Sequence, residues 1–388
     1  MRAAKQRGKV GEVDYGIFYA VILLLAIGII MIYSASSYYA MFKDGDSMVY
    51  LKKQLIWAIT GLIAMGVMSN FDYHKLRKIT PHILIITVPL LIAVFFFPAV
   101  NGAKRWIQLG PLSFQPSELT KYAVVFFLAM SLDAKGDGIK KFWTGIVPYL
   151  GVSGFFAAMI LAEKNLSIAA IIMIVTFILL FVAGGRLQDL FGKVAPVLLV
   201  AVMFFIFGED YRRARMLNFL NPWQDPAGDG YQLIQSFYAL GAGGVTGLGL
   251  GQSRQKTLYM PEPHNDFIFS IIGEELGLIG CLFIILLFVF FVWRGIKVSM
   301  KASDTYGTLL AIGITSIIAV QAIINIAVVT GSMPVTGVPM PFISYGGTSL
   351  VINMMDGNTF KHIKANSRQK YIILKKSGFN INHSFLFW

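Results

Sequence analysis

One cysteine in 388 residues, five histidines and a charged fraction of only 14% exclude much at the outset. A single thiol, Cys281, cannot close an internal disulfide. It lies in an apolar run without neighbouring ligand types, so neither a disulfide scaffold nor a cysteine-built metal centre is indicated. No internal repeat and no low-complexity stretch interrupts the chain. Acidic residues are scarce too, 20 Asp and Glu against 33 Lys and Arg, which leaves a net charge of +13. That excess does not argue for nucleic acid, because most of the basic residues flank hydrophobic stretches, as membrane topology requires. A soluble fold is excluded by what fills the remainder: 56% hydrophobic residues and a mean hydropathy of +0.66.

What is present is a series of apolar segments, near 17–33, 54–70, 82–100, 119–132, 143–162, 168–184, 194–208, 267–293 and 308–329. About 20 residues are needed to cross a bilayer as a helix, so the expectation is an all-α, polytopic integral membrane protein. The first run follows Arg2, Lys5, Arg7 and Lys9 in the manner of a signal peptide. No small-residue cleavage site follows it, so it reads as an uncleaved first span with a cytoplasmic N-terminus. Every loop then falling inside carries basic residues: Lys75, Arg77 and Lys78; Lys135, Lys140 and Lys141; Arg186 and Lys193; Arg294, Lys297 and Lys301. Loops of this length hold no separate globular domain, and residues 1–355 are expected to form one membrane domain.

A tenth apolar segment starts near Phe342 and stops at Met355, about a third short of a span. Residues 356–388 form a basic tail with Lys361, Lys364, Arg368, Lys370, Lys375 and Lys376. With nine crossings that tail lies outside, against the charge rule, so ten spans are expected with the last one truncated. A shift of reading frame near Asp356 accounts for the pattern, and resequencing the gene tests it.

The outside receives three polar segments, 101–121, 209–265 and the Gly/Pro-rich 330–347. They hold Lys104, Arg105, Arg212, Arg213, Arg215, Arg254 and Lys256, cations that call for an anionic partner on that face. The segment Met260-Pro-Glu-Pro-His-Asn-Asp-Phe-Ile-Phe-Ser-Ile-Ile-Gly-Glu-Glu-Leu-Gly277 sets Asp266 where a polar loop meets a long apolar helix. An acid at a membrane boundary is costly to keep there, which points to function. Asn265 or Asp266 could equally cap the helix, since both types favour that position. On a continuous helix Asp266, Ser270, Gly273 or Glu274, Gly277 and Gly280 would share one small, polar face suited to a cavity wall. Glu274 and Glu275 are expected to be paired, because exposure to lipid would be expensive. The 334–347 run reads as non-helical backbone, tolerated where it lines water or is buried in protein; an ordinary turn is the alternative.

Three blocks taken together resemble the SEDS family (shape, elongation, division and sporulation), which includes FtsW, SpoVE and RodA. They are Asn101-Gly-Ala-Lys-Arg-Trp-Ile-Gln-Leu-Gly-Pro-Leu-Ser-Phe-Gln-Pro-Ser-Glu-Leu-Thr-Lys121, the stretch from Asn221-Pro-Trp-Gln-Asp-Pro through Gly247-Leu-Gly-Leu-Gly-Gln-Ser-Arg-Gln-Lys256 into the Asp266 block, and Met333-Pro-Val-Thr-Gly-Val-Pro-Met-Pro-Phe-Ile-Ser-Tyr-Gly-Gly347. The wording looks closer to the division and sporulation branch, and the resemblance covers about 10–355. Glu163-Lys-Asn-Leu-Ser167 departs from the family's usual acidic/Gln-Pro-Asp-Leu-Gly turn.

The resemblance implies a ten-helix bundle in the bacterial cytoplasmic membrane that polymerises lipid II on the outer face. It also implies a class B penicillin-binding protein as transpeptidase partner, alongside division or sporulation proteins. Asp266 matches the family's essential acid and takes the base role. Arg105, Lys121 and Arg213 are candidates for pyrophosphate contact: arginine presents a planar fork and lysine a compact charge. Trp106 beside Arg105, and His264 as a proton relay, complete the substrate-binding set; Glu118, Glu274, Glu275 and Ser344 support it. For several of these a plainer role stands alongside. Arg105 with Trp106 would make an interfacial anchor. Glu118 and Lys121 would make a helical i,i+3 pair, and Arg213 would snorkel to headgroups. No ligand cluster demands a metal, although a divalent cation (Mg or Mn) suits the chemistry. A lipid II flippase and a non-catalytic division scaffold are the rival readings.

Overall fold

The computed structural model describes residues 14–357 except 101, 111, 209 and 229, and the basic tail beyond 357 lies outside the described residues. Helices dominate. Seven are long and apolar enough to cross a membrane: Tyr15–Asp44, Val49–Met68, Tyr73–Phe96, Phe142–Ala162, Leu187–Phe205, Ile268–Met300 and Thr305–Val329. In chain order the helices are α1 (Tyr15–Asp44), α2 (Val49–Met68), α3 (Tyr73–Ala93), α4 (Pro116–Lys135), α5 (Val147–Ala162), α6 (Leu166–Val182) and α7 (Leu187–Asp189). They continue as α8 (Ala195–Phe207), α9 (Asp210–Leu220), α10 (Tyr231–Gly243), α11 (Ile268–Met300), α12 (Thr305–Val329) and α13 (Gly347–Gly357). A two-stranded ribbon, β1 (Ile107–Leu109) paired antiparallel with β2 (Leu112–Phe114), stands before α4.

α12 is the hub and packs against α4, α6 and α11. Its buried Gly313 admits Val125 of α4, and Gly295 of α11 admits Thr315, so small residues bring the axes close, as lipid-embedded helices require. α1 lies on α11, and Arg294 ties the two at one end by an ion pair with Asp14, 2.7 Å. Asp14 also caps α1 by accepting from the N–H groups of Gly16 and Ile17. Successive spans alternate in direction, so the segments 97–115, 163–165, 208–267 and 330–346 gather at one face.

Four expectations need correction. The 209–265 segment is not loop throughout: it forms α9 and α10 before turning irregular. The last helix begins at Gly347 rather than Phe342, because Phe342 (φ 64°) and the prolines before it hold the chain out of helix. α11 starts at Ile268 with Phe267 at the cap position, so neither Asn265 nor Asp266 occupies it. Nor is the helix continuous, for Gly277 (φ 67°, ψ −167°) breaks it, and the polar face running from Asp266 to Gly280 does not form.

That break is met by backbone from another segment. The N–H groups of Leu248 and Gly249 donate to the carbonyls of Glu274 and Glu275, 3.0 Å each. In return Leu278 and Ile279 donate to Gly244 and Val245, at 2.9 and 3.2 Å. Groups that a broken helix would leave bare in hydrocarbon are thereby satisfied. The approach needs glycine on both sides: a Cβ at Gly243 would strike the Gly273 carbonyl, and one at Gly277 (φ 67°) would strike the backbone of Gly247 and Val245.

Candidate active site

Asp266 is held by its main chain. Three consecutive carbonyls are taken up by groups from outside the loop: His264 by the N–H of Tyr345 (3.0 Å), Asn265 by Ser344 Oγ (2.8 Å), Asp266 by Asn325 Nδ2 (2.8 Å). The same Asn325 amide donates to the Val338 carbonyl at 2.8 Å, and Ser344 Oγ accepts from the N–H of Met340 at 2.8 Å. The Asp266 loop and the 334–347 segment are therefore one unit, pinned to the buried end of α12. The Asp266 side chain is half-buried and its Oδ2 lies over Gly337, where a Cβ would come within 3.3 Å. Glycine there leaves room beside the carboxylate.

His264 does not sit on the surface. It is 1% exposed and packs among the rings of Tyr39, Tyr50 and Tyr345, at centroid distances of 5.8, 4.3 and 5.6 Å. Burial, with the charge of Lys43 nearby, pushes its imidazole down to about 3, so it is neutral at physiological pH. Its packing ties the ends of α1 and α2 to the Asp266 loop.

The candidate cations divide. Arg105 reaches across to the turn between α5 and α6, where its Nε donates to the Glu163 carbonyl (3.3 Å) and its Nη2 to that of Lys164. Glu163 is 1% exposed, neither carboxyl oxygen has a hydrogen-bond partner, and burial pushes it up to about 8 despite Arg105. Trp106, half-buried, leads into β1. The ribbon is fastened to the start of α13 by Thr348 Oγ1 donating to the Ser113 carbonyl, 3.0 Å. It thereby joins the segment that clamps Asp266. Lys121 pairs with Glu118 at 2.8 Å, both within the bundle and fully buried or nearly so. Arg213 is exposed on α9.

Glu274 and Glu275 have no exposed surface. Glu274 accepts from Ser253 Oγ (2.5 Å) and from the N–H groups of Arg254 (2.8 Å) and Gln255 (3.4 Å). Glu275 accepts from Ser34 Oγ (2.7 Å) and pairs with Lys256 Nζ (2.9 Å), which also donates to Ser34 Oγ at 3.1 Å. Sequence reasoning missed three participants: Asn325, Lys256 as a buried partner, and the tyrosines around His264. An isolated Asn within an apolar span was a visible signal for the first. Among the described residues, no group of three or more His, Cys, Asp or Glu could hold a metal ion.

The family model described as cell cycle protein, covering FtsW, RodA and SpoVE, matches residues 15–369. The stage V sporulation protein E of Bacillus subtilis is 43% identical over 351 residues, covering 89% of this chain and 95% of that protein. A probable peptidoglycan glycosyltransferase FtsW of a Geobacter species is 40% identical with the same coverage. Among solved structures, a chain of a peptidoglycan synthase complex superposes with a TM-score of 0.76 at 26% identity, covering 92% of this chain and 99% of that one. RodA of Thermus thermophilus, 22% identical, shares the fold with a TM-score of 0.67, over 92% and 98%. A multi-pass helical bundle of that fold, with the three sequence blocks in order along a continuous match, belongs to the FtsW/RodA/SpoVE family of cell-cycle membrane proteins.

Proposed function

We propose that this chain is a peptidoglycan glycosyltransferase that polymerises lipid II at the outer face of the bacterial cytoplasmic membrane, in division or sporulation. The observation that carries the reading is the main-chain clamp on 264–266, which sets one half-buried carboxylate at the loop-rich face beside Gly337. Asp266 takes the proton from the acceptor sugar's 4-hydroxyl as that oxygen attacks the donor's anomeric carbon. The new C–O bond forms as the bond to the pyrophosphate breaks, with inversion, and polyprenyl pyrophosphate leaves. Arg105 is supported as a pyrophosphate contact by its site, held by two carbonyls at the rim of the same face. Arg213, exposed on α9, serves as a second cation, and Trp106 as the ring beside Arg105. Lys121 and Glu118 act as a buried structural pair. His264, neutral and enclosed, positions the loop rather than relaying protons. Ser344 is a positioning residue, and Glu274 and Glu275 hold the loop below it. A divalent cation, Mg or Mn, would find no acidic cluster to hold it among the described residues and would supply charge neutralisation to the leaving pyrophosphate.

The bundle is read as ten spans with a cytoplasmic N-terminus, α13 being the short last one. The partner is a class B penicillin-binding protein, in keeping with the synthase complex whose chain shares this fold. Incubating the purified full chain and that partner with labelled lipid II tests the reading. Glycan strands are expected. Movement of lipid II across a vesicle bilayer without strands would establish the flippase, and neither outcome the scaffold.

A further inference from the structure

The cavity of about 980 Å³ between the end of α1 and the 250–259 segment lies outside the Asp266 clamp. Its lining divides by chemistry. Ser34, Ser253 and Lys256 are buried, whereas Ile30, Tyr33, Tyr38, Met41, Leu250 and Tyr259 are large and exposed. Lys256 and Arg254 both line it, and neither Glu274 nor Glu275 does. Glu274 is absorbed by Ser253 and two backbone N–H groups, and Glu275 by Lys256 and Ser34, so the exposed charge lining the groove is the guanidinium of Arg254.

Its depth follows from the helices. The Asp14–Arg294 ion pair marks one membrane boundary. Twenty residues along α1 lead from Asp14 to Ser34 (34 − 14), and Ser34 Oγ meets the Glu275 carboxylate at 2.7 Å, so both stand at one level. At about 1.5 Å per residue that count comes to ~30 Å, the thickness of the hydrocarbon layer. Ser34, Lys256 and Glu275 therefore lie where acyl chains give way to headgroups. Ile30 and Tyr33 sit on the hydrocarbon side of that level, Tyr38 and Met41 beyond it.

We propose that this groove binds the phosphate headgroup of an anionic phospholipid from the surrounding bilayer. The phosphate would sit at Arg254 and above Lys256, with a chain laid along Ile30 and Tyr33. Charge complementarity and depth together favour a lipid over a free anion or a partner's polar loop: Arg254 stands near the level where lipid phosphates lie, flanked by exposed apolar and tyrosine side chains.

The test uses the purified full chain in neutral detergent with added dioleoylphosphatidylglycerol or dioleoylphosphatidylcholine. The melting temperature should rise with the glycerol lipid and stay level with the choline lipid. Arg254→Gln should weaken the apparent affinity about tenfold, the weight of one charge-assisted hydrogen bond. Ser37→Trp, which fills the groove and leaves the charges in place, should abolish the response. Equal responses to both lipids, or a full response in Ser37→Trp, would overturn the site. Should that variant fail to fold, a diazirine-bearing phosphatidylglycerol decides with the unaltered chain. Labelling within 30–47 and 250–259 supports the site, and labelling only elsewhere, or displacement of the lipid by a partner's helix, refutes it.

Discussion

Asp266 and the pair Glu274 and Glu275 lie within nine residues of one another, yet the fold treats them in opposite ways. At Asp266 the protein grips the main chain, through Asn325, Ser344 and Tyr345, and leaves the carboxylate half-buried beside Gly337. At Glu274 and Glu275 it grips the carboxylates themselves, with Lys256, Ser34, Ser253 Oγ and three backbone N–H groups, and leaves them no solvent. A carboxylate whose hydrogen-bonding capacity is used within the fold contributes structure. The difference separates the two acids that brace the 253–256 turn from the one whose main chain is clamped, which is the acid proposed as the base.

Removing the charge on each side sharpens this contrast. Asp266→Asn keeps shape and the main-chain clamp, so melting temperature and partner binding should be unchanged while strand formation from lipid II falls by about 10²–10⁴. Near-normal polymerisation by that variant, with the partner present, would remove the base role. Lys256→Met should do the reverse. It strands Glu275 in a buried site at a cost of about 3–5 kcal/mol, read as a lower melting temperature. Pairing it with Glu275→Gln should recover part of that loss, because no uncompensated charge remains. A double variant as unstable as the sum of its singles would show that the pair is not a coupled unit.

Asn325→Leu probes the clamp itself. Two buried carbonyls, Asp266 and Val338, lose their donor. The expected signature is kcat lowered about tenfold with KM for lipid II little changed, since misplacing the base by a fraction of an ångström affects the transition state more than binding. Parallel rises in KM would instead make Asn325 part of the substrate site.

The membrane class, most of the spans and the loop-rich face were legible because hydropathy and basic flanks are local signals read over about 20 residues. Asp266 was legible for a similar reason, as an acid at a polar–apolar junction. The break at Gly277 was not. Glycine within a helical run is common, and what makes this one a break is the exchange of hydrogen bonds with Gly244, Val245, Leu248 and Gly249, residues about 30 positions away. His264 read as a proton relay because its loop is polar, while the three tyrosines that enclose it come from α1, α2 and the segment before α13. Lys256 looked like an outward-facing cation for want of any local sign that Ser34 and Glu275 meet it.

Glu163 belongs to neither side of the comparison: it is buried like Glu275, yet its carboxyl has no hydrogen-bond partner. Its pKa rises from 4.5 in the unfolded chain to about 8 in the folded one, chiefly through burial. The folded state therefore holds a proton that the unfolded state has released between those values. The stability this contributes is whole below pH 4.5 and is lost as pH climbs to about 8. Glu163→Gln, neutral throughout, should flatten that slope and melt higher than the parent chain above pH 8, with little change at pH 4. Because Arg105 is fastened to the backbone of the same turn, activity should follow: the parent loses lipid II affinity as Glu163 ionises and competes for the guanidinium, and the Gln variant does not. An unchanged slope in the variant would mean that Glu163 finds a cation or water when charged, and that the turn is a passive bracket for Arg105.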